Sequence, residues 1–207
     1  MSVSLVSLGE STSHYSFTAN SLADALQQML RLGPGDGDGN HAASCDVQAS
    51  DILDGLQTGI VAGTTVQIPD MGWTTTAYIT QGFLRYRFVF RLPLWSNVSS
   101  LIRPIQAEWG RYNRCLMIHE RGHTRAAMPV LRRYQRQFES LRIAQMGSSA
   151  REAEEAAQRE LRSQAREVYG LLANDVQNAS DRYDRSTRHG RTQGAELRTL
   201  MRPRSRH

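Results

Sequence analysis

The sequence predicts an α+β fold, a small N-terminal β-sheet packed on two long C-terminal helices. Three observations carry this reading. Residues 42–92 are rich in β-branched and aromatic side chains separated by turn residues, the composition of short strands. From residue 96 the apolar residues recur at helical spacing. A second helical stripe follows the break at Met146-Gly147-Ser148-Ser149. At 207 residues and 40% hydrophobic, the chain suits a single domain, 1–207, ending in an Arg-rich tail over about 191–207.

Residues 2–8 and 14–19 alternate apolar and polar side chains, which predicts two short strands. Asn20 or Ser21 caps a helix that runs to about Leu32, with Leu22, Ala25, Leu26, Met29 and Leu30 on its apolar face and Gly33-Pro34-Gly35 ending it. Asp36-Gly37-Asp38-Gly39-Asn40 resembles the opening of a calcium loop. His41 replaces the glycine that such a loop needs, Val47 stands in place of its glutamate, and a plain loop is expected. Strands are expected over 42–48, 59–68, 73–80 and 83–92. In the last, Tyr86, Phe88 and Phe90 alternate with Arg85, Arg87, Val89 and Arg91, and Pro93 stops it. Leu101, Ile105, Trp109, Tyr112 and Leu116 then form a helical stripe that His119 and His123 extend. Pro129 should kink or end that helix, with residues 131–145 continuing as helix. Ser149 and Glu152 form a capping-box pattern for a second long helix, whose inward stripe is Leu161, Ala165, Val168, Leu172, Val176 and Ala179.

All 25 basic residues are arginine. The absence of lysine fits a high-GC genome, and also an effector delivered into a host cell where lysine would be modified. Eight arginines against Asp184 and Glu196 give the stretch from Arg182 onward a net charge of +6 within an overall +5, so this end supplies the positive charge. It suits an anionic partner such as nucleic acid, lipid headgroups or an acidic substrate. No apolar run is long enough to cross a membrane. Residues 1–13 lack the basic and apolar regions of a standard signal peptide, so export by another route, or loss of a leader, is expected. Cys45 and Cys115 lack zinc-site spacing and are either one disulfide or two free thiols.

The chemistry is carried by His119-Glu120-Arg121-Gly122-His123, an H-E-x-x-H match. Residues four apart share a helix face, so both imidazoles can reach one cation, and Glu120 stands beside the first as general base toward a metal-bound water. Such a match arises by chance in about one in a hundred chains of this size. Its place on the apolar stripe sharpens it, because two histidines and a glutamate are poor core choices otherwise. Gly122 inside the helix costs about 1 kcal/mol relative to alanine, which makes sense if something packs closely there. A catalytic zinc needs a third protein ligand. Glu152, Glu154, Glu155 and Glu160 on the second helix are candidates, as is His189 just beyond its stripe.

Three segments resemble a bacterial family predicted to be secreted zinc-dependent proteases, a domain-of-unknown-function family in the zincin-like clan. They are His14-Tyr15-Ser16-Phe17 through Leu32-Gly33-Pro34; Leu92-Pro93-Leu94-Trp95 with Trp109, leading into the H-E-x-x-H motif; and Tyr183-Asp184 with Thr187, His189-Gly190 and Gln193-Gly194-Ala195. The resemblance implies a zincin-like fold, Zn2+ held by His119, His123 and His189, and a secreted or periplasmic location. It also implies that Asp184 is either an alternative ligand or a carboxylate orienting a ligating histidine, and that Tyr183 donates to the oxyanion of the tetrahedral intermediate. The function expected is a zinc metallopeptidase acting on protein or peptide substrates. The alternatives are a zinc amidase on cell-wall or acylated substrates, and an inactive metal-stabilised binding module with a basic tail.

Overall fold

In a computed structural model, which describes residues 2–36, 39–50 and 52–199, the chain is α+β, as the sequence predicts. In chain order the elements are β1 (Ser2–Phe17), α1 (Leu22–Leu32), β2 (Gly35–Asp36), β3 (Gly39–Asn40), β4 (Ser44–Ala49), β5 (Gln57–Ile60), β6 (Val66–Ile68), β7 (Gly72–Trp95), α2 (Arg103–Ser140), β8 (Arg142–Gly147) and α3 (Ala150–Thr187). Six strands form one sheet centred on β7, with β1 and β4 flanking it and β5, β6 and β8 also pairing with it; β2 and β3 form a separate hairpin. Residues gather into two compact units. Of the described residues, one comprises 2–9, 48–50, 52–87 and 127–179; the other comprises 10–36, 39–47, 88–126 and 180–199.

In the first unit, β5, β6 and β8 run antiparallel to β7. Ala77, Ile79, Leu84, Leu131, Phe138, Ala153 and Leu161 are buried there, and of these Leu161 belongs to the inward stripe expected for α3. The capping box at α3 forms: Ser149 Oγ accepts from Glu152 N (3.2 Å), while the Glu152 carboxylate accepts from Ser148 N (2.9 Å). Arg133 and Tyr134 of α2 both donate to Asp175 of α3.

The second unit is built on an aromatic cluster. Trp95 stands edge-on to Trp109 (5.3 Å between ring centres), Phe17 lies 6.0 Å from Trp95, and Tyr112 adjoins Trp109 at 5.5 Å. Trp95 Nε1 donates to Asn97 Oδ1 (2.9 Å) and Ala19 O (3.1 Å), so the buried indole is satisfied. These rings anchor the start of α2, and with it the turn that bears the H-E-x-x-H motif. Ser21 caps α1, its hydroxyl accepting from Asp24 N at 3.1 Å.

Several expected boundaries differ. The strands expected at 2–8 and 14–19 are one strand, because the polar stretch between them stays extended while turned toward solvent. Residues 73–80 and 83–92 likewise join in β7, which continues past Pro93 to Trp95. Gly82 marks close packing where a turn was expected, since a Cβ there would lie 3.2 Å from Leu56 Cδ1. The single strand expected over 59–68 is divided between β5 and β6, with a turn at Thr64, whose hydroxyl donates to Val61 O (2.7 Å). Pro129 neither ends nor breaks α2: it lies on the exposed face, where water can satisfy the carbonyl that its missing N–H leaves. Residues 142–147 are strand β8, their alternating burial serving a sheet edge. Both cysteines are free thiols. Residues 37 and 38 and the side chains of 36–40, where the calcium-like loop was weighed, lie outside the described residues, as do residues 200–207 of the Arg-rich tail.

Candidate metal centre

The H-E-x-x-H turn of α2 meets the last turns of α3 within the second unit. His119, Glu120 and His123 are 5%, 3% and 7% exposed. Asp184 of α3 places Oδ1 3.1 Å from His119 Nε2 and 3.3 Å from His123 Nε2, and the two Nε2 atoms are 3.4 Å apart. Zinc ligands at 2.0–2.1 Å in tetrahedral arrangement lie about 3.3–3.4 Å from one another. The triangle therefore has the dimensions of one face of such a site, and the three residues are a group able to hold a metal ion.

The outer nitrogens strengthen the fit. His119 Nδ1 is 3.1 Å from Gln193 Oε1, and His123 Nδ1 is 2.7 Å from Ser180 Oγ. With both Nδ1 atoms donating, three acceptor lone pairs converge on one point, and a cation satisfies all three together. Charge follows the same geometry. Burial opposes ionisation of Asp184. Without a cation, and with protons on their Nε2 atoms, His119 and His123 instead donate to Asp184; these bonds outweigh burial and hold the carboxyl well below its usual range. Burial pulls His119 down, but its bond to Asp184 and the charge of Glu120 together raise it.

Glu120 is not part of the triangle. Burial pushes its carboxyl up to about 7, against the lowering influence of His123 and His119. Its Oε2 is buried with no hydrogen-bond partner among the described residues. A carboxyl poised near neutrality, with one oxygen left open, is the equipment of a general base. Facing it are groups that stay neutral. Burial first, then the charges of Glu120, Asp46 and Glu10, push the Cys45 thiol up to about 12. Burial likewise raises Tyr15, whose hydroxyl donates to Ala42 O at 2.6 Å.

Tyr183 stacks on His119, 5.3 Å between ring centres and 17° from parallel, and meets His123 edge-on at 4.9 Å. Gly122 is explained by it: a Cβ there would strike the Tyr183 ring and hydroxyl. Gly190 serves similarly, since a Cβ would lie 2.9 Å from His119 Cγ, and its φ of 77° favours glycine in any case.

Of the residues read from the sequence, His119, Glu120, His123, Asp184 and Tyr183 come together. His189 does not join the triangle. Its side chain is 62% exposed, Nδ1 lies 3.9 Å from Asp184 Oδ1, and the ring stacks on His41 at 5.9 Å. The backbone causes this: α3 ends at Thr187, and Arg188 and His189 are left-handed (φ 52° and 51°), which turns the chain away. Glu154 bonds Thr65 in the first unit (3.0 Å), Glu152 caps α3, and Glu155 pairs with Arg151, so these acids have other partners. Glu160 accepts from Gln164 Nε2 (3.2 Å). Ser180 and Gln193 were not singled out from the sequence, although Ser180 lies one turn before Asp184 and continues the inward stripe of α3.

No curated protein and no solved structure matches the chain. A family profile matches residues 12–190, a span that includes both histidines, Glu120, Ser180, Tyr183 and Asp184. The chain belongs to that family, described as bacterial protein of unknown function (DUF922).

Proposed function

We propose that this protein is a metal-dependent hydrolase, and specifically a zinc peptidase of zincin-like type. One observation carries the reading: His119, His123 and Asp184 converge at 3.1–3.4 Å, beside a buried glutamate with a free oxygen. Two imidazoles and one carboxylate are a donor set used by hydrolytic zinc, with a coordination position left for substrate or water. A divalent cation held by His119, His123 and Asp184 would polarise a substrate carbonyl and acidify water.

The chain's own residues supply the rest. Glu120 Oε2 takes a proton from the attacking water and releases it to the leaving nitrogen. Burial raises the Glu120 carboxyl, which makes it a stronger base toward the attacking water than an exposed carboxylate. Tyr183 Oη, beside His119, donates to the oxygen that gains charge as the carbonyl is attacked. The neutral Cys45 and Tyr15 add no charge that would draw the proton from Glu120. The step from hydrolase to peptidase, and a secreted or periplasmic location, are supported by the resemblance of the motif segments.

The test is zinc content and cleavage of a peptide library by the purified chain. Glu120→Gln should retain zinc and lose cleavage. Cleavage confined to cell-wall peptides or acylated groups would make the enzyme an amidase. Bound zinc with no hydrolysis of any of these would leave a metal-stabilised binding module.

A further inference from the structure

Resting on the metal-centre reading, we infer that Gln193 is a positioning residue that sets two proton positions together: it fixes the metal-facing tautomer of His119 and leaves the Tyr183 hydroxyl proton available to substrate.

Gln193 ends a tight turn, Arg191–Gln193, between left-handed Gly190 and Gly194. Gln193 N and Ala195 N both donate to Gly190 O, at 2.9 and 3.0 Å, so the turn holds its own shape. From it the Gln193 amide spans two site groups. Nε2 donates to Tyr183 Oη at 2.7 Å, and Oε1 stands 3.1 Å from His119 Nδ1.

A primary amide has a donor end and an acceptor end. With Oε1 toward His119, Nδ1 must carry the proton, and the Nε2 lone pair faces His123 and Asp184, as a metal ligand requires. With Nε2 toward Tyr183, Oη is the acceptor in that bond. The phenol proton then has no other acceptor among the described residues and can go to a substrate oxygen. Turning the amide over would reverse both at once: Nδ1 would lose its proton, Nε2 would point an N–H into the triangle, and Tyr183 would spend its proton on Gln193. Metal binding and oxyanion donation are therefore coupled through one side chain. Ser180 holds His123 Nδ1 at 2.7 Å but reaches no second site group, so it lacks this dual part.

Gln193→Met keeps the length and removes both bonds. Zinc affinity, measured by chelator competition, should fall about 10–100-fold. Gln193→Glu restores the acceptor at His119 and presents a second acceptor to Tyr183. It should recover zinc affinity while kcat on a cleavable peptide stays low and KM changes little. Long-range 1H–15N spectra of the zinc-loaded wild type should show His119 protonated at Nδ1. Wild-type protein that binds zinc no more tightly than Gln193→Met overturns the role of Gln193, as does a Gln193→Glu variant with wild-type kcat. Wild-type protein that takes up no zinc overturns the metal centre itself.

Discussion

Gly122→Ala should damage the site, although alanine is the better helix former. A Cβ at Gly122 would lie 2.6 Å from Tyr183 Cε1, with Cζ and the hydroxyl closer still. Restoring an ordinary carbon–carbon contact of about 3.5 Å at Cε1 alone requires a shift of about 0.9 Å. The hydroxyl must move further, which breaks its bond to Gln193 and disturbs the stack on His119. A misplacement of that size at a reacting group costs about 100-fold in rate. Stability should change less, since overpacking costs about 1–3 kcal/mol and the glycine-to-alanine gain returns about 1 kcal/mol. A double-mutant cycle separates the two. In a Tyr183→Ala background the clash is gone, and Gly122→Ala should stabilise by about 1 kcal/mol. Tyr183→Phe should give no such relief, because its ring still occupies the space. The assays are urea unfolding of zinc-free protein for all variants and peptide turnover for the single ones. If Gly122→Ala is equally stabilising with and without Tyr183, the close approach is not what excludes alanine, and the argument fails.

Three further outcomes follow from the geometry. Asp184→Asn should lower zinc content sharply, whereas His189→Ala should leave it unchanged when metal is measured on the purified proteins. Loss on His189→Ala alone would return the third ligand to the position that the resemblance implies. Arg111 holds the chain after the site by donating to Gly194 O (2.7 Å) and Glu196 O (2.6 Å), while Glu108 accepts from Arg198 N (2.9 Å) and is held below its usual range by its bond to Arg111. Because that carboxyl is depressed on folding, its contribution is present above the unfolded value of about 4.3 and is lost as pH falls through the folded one. Hydrogen-exchange protection at residues 194–198, corrected for the intrinsic rate at each pH, should therefore fall in acid, and equal protection across that range would remove the clasp. Over residues 103–126, α2 exposes Arg103, Arg114, Arg121 and Arg125 and no acidic residue. Alanine at the last three should weaken salt-dependent retention on a polyanion column if this end of the molecule meets an anionic partner, and unchanged retention would count against one.

Much of the fold was legible because burial leaves a period in the sequence. The helical stripes placed α2 and α3, and the side chains around Ser21 and Ser149 marked the caps of α1 and α3, since each cap uses residues within one turn of itself. Where expectation departed from structure, the determining contacts were distant in sequence. Gly82 reads as a turn until Leu56 is found against it. Residues 142–145 read as helix until β7 pairs with them at every position from Thr75 to Tyr78. The polar stretch within β1 carries no alternation because both of its faces are largely wet, and its strand conformation comes from its neighbour in the sheet.

The third corner of the triangle with His119 and His123 turns on the same principle. His119 and His123 stood out because they were polar residues on a buried helical stripe. Applied to α3, that criterion extends Leu172, Val176 and Ala179 onward through Ser180, Tyr183, Asp184 and Thr187, at spacings of three and four. Asp184 then lies on the inward face, with Ser180 one turn before it and Thr187 buried just beyond. His189 fails the criterion, because it follows the end of the helix, where the period no longer applies and the left-handed backbone carries its ring outward. A histidine is the more conspicuous metal ligand in a sequence, but position on a face decides which donor arrives. In this chain the face delivers a carboxylate, and a carboxylate changes the chemistry: it adds a negative charge next to the histidines, works against burial to raise His119, and contributes to raising Glu120 toward neutrality. The residue that completes the triangle thus also tunes the base beside it, which a neutral imidazole at the third corner would not do.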